Sequence, residues 1–373
     1  MRVMVLGLRA MFGVQGGIEA HVRAIATQIL GDPRFKDIEF EVLERRAFVD
    51  AARQVPPLAQ LTLTPLAHPR YVAFETIVHT LAGVLYAARK RPDIVHIHGI
   101  GPALVAPLAR LLGLKIVCTH HGEDYHRDKW GGFARLVLKM GEYNLTYWSN
   151  QRIAIAPGLA KRLDAKFGRS FVYIPNPAPQ ALPGDGGDVL ARYGLSAHKY
   201  ILNVARIVPE KRQLDLIAAF IAAKRDGWKL VLAGGSDHGG DYAQSVERAA
   251  AGDPDIILAG RLSGAPLGAL YNDAGLFVLP SSHEGLPLVL LEAMTAHLPL
   301  LVSDIDNLVD LDLPPDDYFR LGDPGALAMA LGRRLAVLDA NWRPVDWSHR
   351  LSAFSIARIA SETVEVYRRC MDQ

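Results

Sequence analysis

The chain is poor in cysteine, in long apolar runs and in any excess of one charge. Cys118 and Cys370 are its two cysteines, and they lie far apart. They rule out a disulfide framework and a cysteine-built zinc site, and they suit a reducing compartment. No uncharged apolar stretch approaches the roughly eighteen residues that a transmembrane helix needs, so any membrane contact is expected to be peripheral. The 41 Lys and Arg against 39 Asp and Glu leave a net charge of +2, which argues against a nucleic-acid binder that relies on overall charge. The opening segment "MRVMVLGLRAMFG" is broken by Arg9, and no small-residue cleavage site follows it. It reads as a first strand and its loop, with a cytoplasmic location expected.

What is present is a well-buried protein: 373 residues, 50% of them hydrophobic and 21% charged. That length favours two domains of about 150 to 200 residues. Short β-branched or Leu-rich runs alternate with helical patterns at Val3 to Leu8, Ile38 to Leu43, Ile94 to Ile97, Lys115 to Thr119 and Arg152 to Ala156. A second series runs through Tyr200 to Ala205, Lys229 to Ala233, Asp255 to Leu258, Leu276 to Leu279 and Leu300 to Ser303. Such alternation predicts two parallel sheets, each covered by helices on both faces. Between the series, Ile174 to Asp188 holds four prolines and three glycines, the mark of a linker. The expected organisation is therefore a first domain over 1–175, a linker over 176–190, a second domain over 191–345 and carboxyl-terminal helices over 346–373 that pack back on the first domain. The stretch from about Ala47 to Thr80 carries no usable signal.

Ligands of doubly wound sheets sit beyond the carboxyl ends of the strands, so the following loops hold the candidates. After the first strand, Gly13, Gly16 and Gly17 precede a helix whose apolar positions include Ile18, Val22 and Ile25, a setting that suits either a tight turn or a phosphate. In "NVARIVPEKRQLDL", Arg206 and Lys211 flank a turn and could clamp a diphosphate or pair with Glu210 or Asp215. In "SSHEGLPLVLLEAM", Glu284 falls just outside a helix start and Glu292 inside it. An acid at a helix start is commonly a cap, but one within an apolar run needs a partner, which a sugar or ribose hydroxyl could be. His96 and His98 end one strand, and His120, His121 and His126 follow another. With only Glu123 or Asp124 to complete a ligand set, hydrogen-bonding histidines are expected and no metal site. Asp304-Ile305-Asp306 is read as a cap or hinge.

The segments "VARIVPEK" and "LAGRLSGAPLGALYNDAGLFVLPSSHEGLPLVLLEAM", with the earlier "GGIEAHV", resemble family 4 of the retaining nucleotide-sugar glycosyltransferases. The resemblance implies the GT-B fold, two facing Rossmann-like doubly wound parallel sheets, here with a carboxyl-terminal helical segment. It makes Glu284 and Glu292 that family's E-x7-E pair, the first toward hydroxyls of the transferred sugar and the second toward the ribose. Arg206 and Lys211 would hold the diphosphate, helped by the N–H groups of Leu286 and Leu288 and by the Gly16-Gly17 loop. The segment "THHGEDYHRDKWGGFARLVLKMGEY" resembles a rhamnosyltransferase-like branch and places His121, with His120 and Glu123, near the reacting centre and acceptor. One departure is "TAHLP", where His297 occupies the position of a glycine, and another is "NLVDLDLPPDDY" in the distal loop.

The expected activity is retaining transfer of a hexose or deoxyhexose from a nucleoside diphosphate sugar to a glycan or lipid-linked saccharide acceptor, in bacterial surface-polysaccharide assembly. No cofactor or metal is expected, since the cations and helix termini would stabilise the departing diphosphate. Rivals are a sugar-nucleotide epimerase on the same scaffold and a non-catalytic nucleotide-sugar-binding protein. A basic amphipathic pattern, with Lys161, Arg162, Lys166 and Arg169 around Leu159, Leu163 and Phe167, suggests contact with anionic lipid at the inner face of the cytoplasmic membrane.

Overall fold

The computed structural model describes residues 1–50, 53, 55–67, 75–126, 130–184, 188–223, 227–236 and 240–373. Lys129 of the rhamnosyltransferase-like segment, part of the stretch from Ala47 to Thr80 and part of the expected linker lie outside them. The chain divides into one unit of Met1–Pro177 with Phe354–Gln373 and a second of Ala178–Ala353.

In the first unit, strands β1 (Arg2–Leu6), β2 (Glu39–Arg45), β3 (Leu61–Leu66), β4 (Ile94–His98), β5 (Ile116–His120), β6 (Gln151–Ala154) and β7 (Val172–Tyr173) form a sheet in the order β3-β2-β1-β4-β5-β6-β7. Every pairing is parallel. Side chains alternate across β1, so Met4 and Leu6 enter one core while Val3 and Val5 enter the other. The first core is covered by α2 (Glu75–Lys90), α3 (Ala106–Leu111), α4 (Gly132–Trp148) and α5 (Pro157–Phe167); the second is covered on one side by α1 (Gly17–Gly31). In α5, Leu159 and Leu163 are buried in the first core. The apolar side of this helix is therefore spent on the protein, while its cations Lys161 and Lys166 stay exposed.

In the second unit, β8 (Tyr200–Val204), β9 (Lys229–Ala233), β10 (Ile256–Gly260), β11 (Leu276–Leu279), β12 (Leu300–Ser303) and β13 (Tyr318–Phe319) pair in the order β10-β9-β8-β11-β12-β13, again all parallel. This is the doubly wound order whose switch point falls between the first and fourth strands, here β8 and β11. Its helices are α6 (Val189–Arg192), α7 (Gln213–Ala222), α8 (Asp241–Ala251), α9 (Ala265–Asn272), α10 (Leu288–Thr295), α11 (Asp306–Val309), α12 (Pro324–Asn341) and α13 (Ser348–Leu351). Trp228, Phe220 and Leu216 are fully buried with the strand residues Ile201, Leu230 and Val278.

A last helix, α14 (Ile356–Met371), belongs to the first unit, where Ile359, Val364 and Tyr367 join the core shared with α1. The two-residue strands β7 and β13 and the edge strand β3 escaped the sequence pattern. In β3 no residue is fully buried and Pro65 interrupts the run, as suits an edge strand.

Candidate functional site

In the second unit the loops leaving β8 and β11 flank the switch point, and they carry the expected cations and acids. Arg206 is exposed two residues beyond β8, and its carbonyl accepts from Gln213 Nε2 at 2.8 Å. Pro209 opens a short 3-10 turn that ends at Lys211, and Arg212 then takes a left-handed conformation with φ 55° to enter α7. The two loops are stitched together, since the carbonyl of buried Glu210 accepts from Ser282 N at 2.9 Å.

Lys211 pairs with Glu284 across these loops, with side-chain exposures of 16% and 8%. Of the partners that the sequence offers the loop cations, Asp215 is taken by Arg212 instead. The Glu284 backbone is anchored in turn, its carbonyl accepting from Asn307 Nδ2 at 2.6 Å. Helix α10 begins at Leu288 behind Pro287. The Leu288 N–H therefore lies in a first turn, where N–H groups have no intrahelical acceptor, while Leu286 is buried one residue before the cap.

Glu292 sits one turn inside α10, and one of its oxygens accepts from Tyr271 Oη at 2.8 Å. Burial first, and then the Glu292 carboxylate, hold the Tyr271 phenol well above its usual range, so it remains a donor. Tyr271 is absent from the expected site. Its signal is faint, an aromatic residue within "GALYNDAG" that reaches Glu292 only because α9 packs beside α10.

His297, in the glycine's place, adopts φ 58° after α10. Its N–H donates to the Met294 carbonyl and that of Leu298 to Ala293, the paired bonds of a Schellman ending. Its ring Nδ1 lies 3.1 Å from the Val345 carbonyl. Asp304 accepts from Leu321 N at 2.8 Å and so ties local backbone, while Asp306 is the first residue of α11, a helix whose N-cap, Ile305, makes no side-chain capping bond.

In the first unit the switch point lies between β1 and β4. Gly16 caps α1, and a Cβ there would lie 2.0 Å from Glu19 Oε2. That carboxylate is held by Arg9 at 3.0 Å, so a side chain at Gly16 would have to displace this ion pair. Around Gly17 a Cβ would meet nothing within 4 Å, which leaves the helix start open to approach.

Beside this start four histidines gather. His98 Nδ1 lies 3.0 Å from His121 Nε2, and His21 Nδ1 lies 2.8 Å from Asn176 Oδ1. His96 bonds Tyr367 Oη at 2.8 Å and Thr119 Oγ1 at 2.7 Å. Burial lowers the pKa of His21 to about 4 and, with His21 as neighbour, that of His96 to about 3. His98 and His121 are held well below the usual range by desolvation and then by neighbouring rings, His96 first for His98 and His21 first for His121, so these rings are neutral near pH 7. Ligating nitrogens of His21, His98 and His121 lie within 4.8 Å of one another, making them the described residues that could hold a nitrogen-preferring divalent ion. His21 supplies the third ring that the strand-end pairs lack, and it was hidden on the apolar side of α1.

The structure parts His120 from His121. His120 is fully buried, its Nδ1 accepting from Gly122 N at 3.2 Å and its Nε2 donating to Glu142 at 3.1 Å. Both nitrogens are spent on protein, which corrects its placement at an acceptor. Glu142 also meets Lys166 at 2.6 Å. Burial alone would raise its pKa, but the bonds from His120 and Lys166 bring it below the usual value. Glu123 accepts from Tyr125 Oη at 2.8 Å and pairs with Arg162 at 3.3 Å.

Two doubly wound units with polar clusters at their switch points define a GT-B glycosyltransferase fold. A sucrose-phosphate synthase from Thermosynechococcus elongatus superposes with a TM-score of 0.79 at 20% identity, over 99% of this chain and 98% of that one. The family model described as Glycosyltransferase Family 4 matches residues 15–179, and that described as glycosyl transferases group 1 matches residues 198–336. The chain belongs to the family 4 glycosyltransferases. Among its relatives are O-antigen chain mannosyltransferase B of Escherichia coli, 26% identical over 63% of this chain and 61% of that protein, and the GDP-mannose:cellobiosyl-diphosphopolyprenol alpha-mannosyltransferase of Xanthomonas oryzae pv. oryzae, 29% identical over 62% and 61%. The match thus spans about three-fifths of these curated relatives' lengths.

Proposed function

We propose that this chain transfers a hexose or deoxyhexose from a nucleoside diphosphate sugar to a glycan or lipid-linked acceptor, with retained anomeric configuration, in bacterial surface-polysaccharide assembly. What supports this reading most is the convergence of Arg206, Lys211 and Glu284 on two loops at one switch point, with Lys211 and Glu284 in contact and Glu292 on the helix that follows the second loop.

Arg206 and Lys211 hold the diphosphate, and the N–H groups of Leu286 and Leu288 face the same charge. Glu284 bonds the transferred sugar, and Glu292, oriented by Tyr271, bonds the ribose. Of the first unit's own groups, the helix start at Gly16 and Gly17 suits a phosphate, neutral His121 suits a sugar hydroxyl and Glu123 suits an acceptor hydroxyl. As the bond from the anomeric carbon to the diphosphate oxygen breaks, that to the acceptor oxygen forms on the same face. The acceptor's proton passes to the departing diphosphate. No metal takes part, because the two cations and the first turn of α10 oppose the growing charge. The acceptor is reached from the cytoplasmic side, with peripheral contact at an anionic membrane.

The name of the Xanthomonas oryzae relative recommends GDP-mannose as the first donor to try. Thermal shift with GDP, UDP and dTDP identifies the base, since a ligand at about a hundred times its Kd stabilises by ~2.7 kcal/mol. Transfer is then followed as nucleoside diphosphate release with polyprenyl-diphosphate-linked and soluble saccharide acceptors. Isomerised donor without transfer would favour an epimerase, and binding without turnover a non-catalytic protein.

A further inference from the structure

Large apolar side chains on the surface of this protein are concentrated. Ten of the sixteen exposed ones among the described residues lie on α2, α3 and α4, all of which cover one face of the first unit's sheet. Helix α4 carries Phe133, Leu136, Met140, Tyr143 and Tyr147, spaced 3, 4, 3 and 4 residues apart, which places them in one stripe along the helix. This stripe is not the one that packs: Leu138, Gly141 and Leu145 face inward, and a Cβ at Gly141 would lie 2.0 Å from the Ile100 carbonyl. Phe133 is 82% exposed and Leu136 56%. On neighbouring α2, Val78, Leu81 and Leu85 repeat the pattern, and Leu111 at the end of α3 is 77% exposed.

The exposed charges on α4 and at the end of α5 have one sign. Arg135 and Lys139 are exposed on α4 itself, and Lys166 and Arg169 follow on and after α5. Arg169 lies 5.6 Å over the Tyr147 ring, and Tyr147 Oη donates to the Phe167 carbonyl, so the basic end of α5 adjoins the stripe. The one acid of α4, Glu142, is buried and paired with Lys166. Arg89 and Lys90 close the exposed end of α2. An apolar stripe bordered by cations, with the helix's carboxylate withdrawn, complements an anionic lipid surface: rings and aliphatic chains enter the acyl boundary while the cations stay among the headgroups.

We infer that the outward face of α4, with the adjoining surfaces of α2 and α5, seats this protein on an anionic bilayer. The inference extends the reading of a lipid-linked acceptor by naming the surface that holds the enzyme beside it. The binding itself stands apart from catalysis.

The test is flotation of the full chain with vesicles of phosphatidylcholine alone or with about one-third phosphatidylglycerol. Wild-type protein should float with the anionic vesicles, and less with the neutral ones or at high salt. Phe133→Ser with Leu136→Ser should lower partition at least about ten-fold, and each of Arg135→Gln and Lys139→Gln about five-fold. Because these side chains are exposed, the melting temperature should not move, and transfer to a soluble acceptor should match wild type. Failure of the wild type to float, equal partition to neutral vesicles, or serine variants that float undiminished would each overturn the inference. So would a concentration-dependent dimer abolished by the serine variants without effect on flotation, since the stripe would then serve a second copy. A protein that floats but transfers nothing to any acceptor retains the docking face and loses the proposed activity instead.

Discussion

Lys211 and Glu284 are the residues on which the donor reading turns, and their contact changes what their removal should do. Lys211→Ala strips the positive partner from a carboxylate only 8% exposed. We expect two separable effects: a stability loss of about 1–3 kcal/mol in urea unfolding, and turnover lowered roughly 10²- to 10³-fold. A variant with wild-type stability and rate would remove Lys211 from both roles. Tyr271→Phe isolates the orientation of Glu292, since it deletes the 2.8 Å bond and keeps the buried ring. Calorimetry with the correct nucleoside diphosphate should give a Kd raised about five- to ten-fold, close to 1 kcal/mol. Unchanged affinity would mean that Glu292 acts elsewhere or needs no such support.

Among the elements, the ending of α10 offers a clean comparison. A left-handed residue with a Cβ is strained, so His297→Gly should be more stable than His297→Ala by about 1 kcal/mol, both lacking the ring bond to Val345. Equal melting points for the two variants would contradict the left-handed ending. The same helix explains what could be read in advance. Strands such as β11 and β12, with every residue buried, appear in sequence as unbroken apolar runs, and the loops after β8 and β11 follow from them. Edge strand β3, with no fully buried residue and with Pro65, gives no such run. Nor does pattern alone reveal contacts between elements: Tyr271 with Glu292, His21 among the strand-end rings, or His120 turned toward Glu142 while its neighbour turns away. Helix α5 is ambiguous for a related reason, because an amphipathic basic sequence does not say whether its apolar side meets lipid or core.

At the scale of the molecule, buried neutral histidines tie the first unit's stability to pH. The folded pKa values of His21 and His96, about 4 and about 3, lie below the unfolded value of 6.5. The unfolded chain therefore binds more protons in between, and stability present above pH 6.5 is lost as pH falls toward 4 and 3. The melting temperature should drop steadily through that window, and less steeply in His96→Gln; a flat profile would contradict burial of neutral rings. The return of α14 to the first unit has a further consequence during synthesis. Residues 1–177 leave the ribosome with one face of their sheet lacking the helix that supplies Ile359, Val364 and Tyr367. They must wait through translation of the whole second unit for that cover. The second unit, contiguous in the chain, can finish first, while the nascent amino-terminal half spends that interval as a client for chaperones.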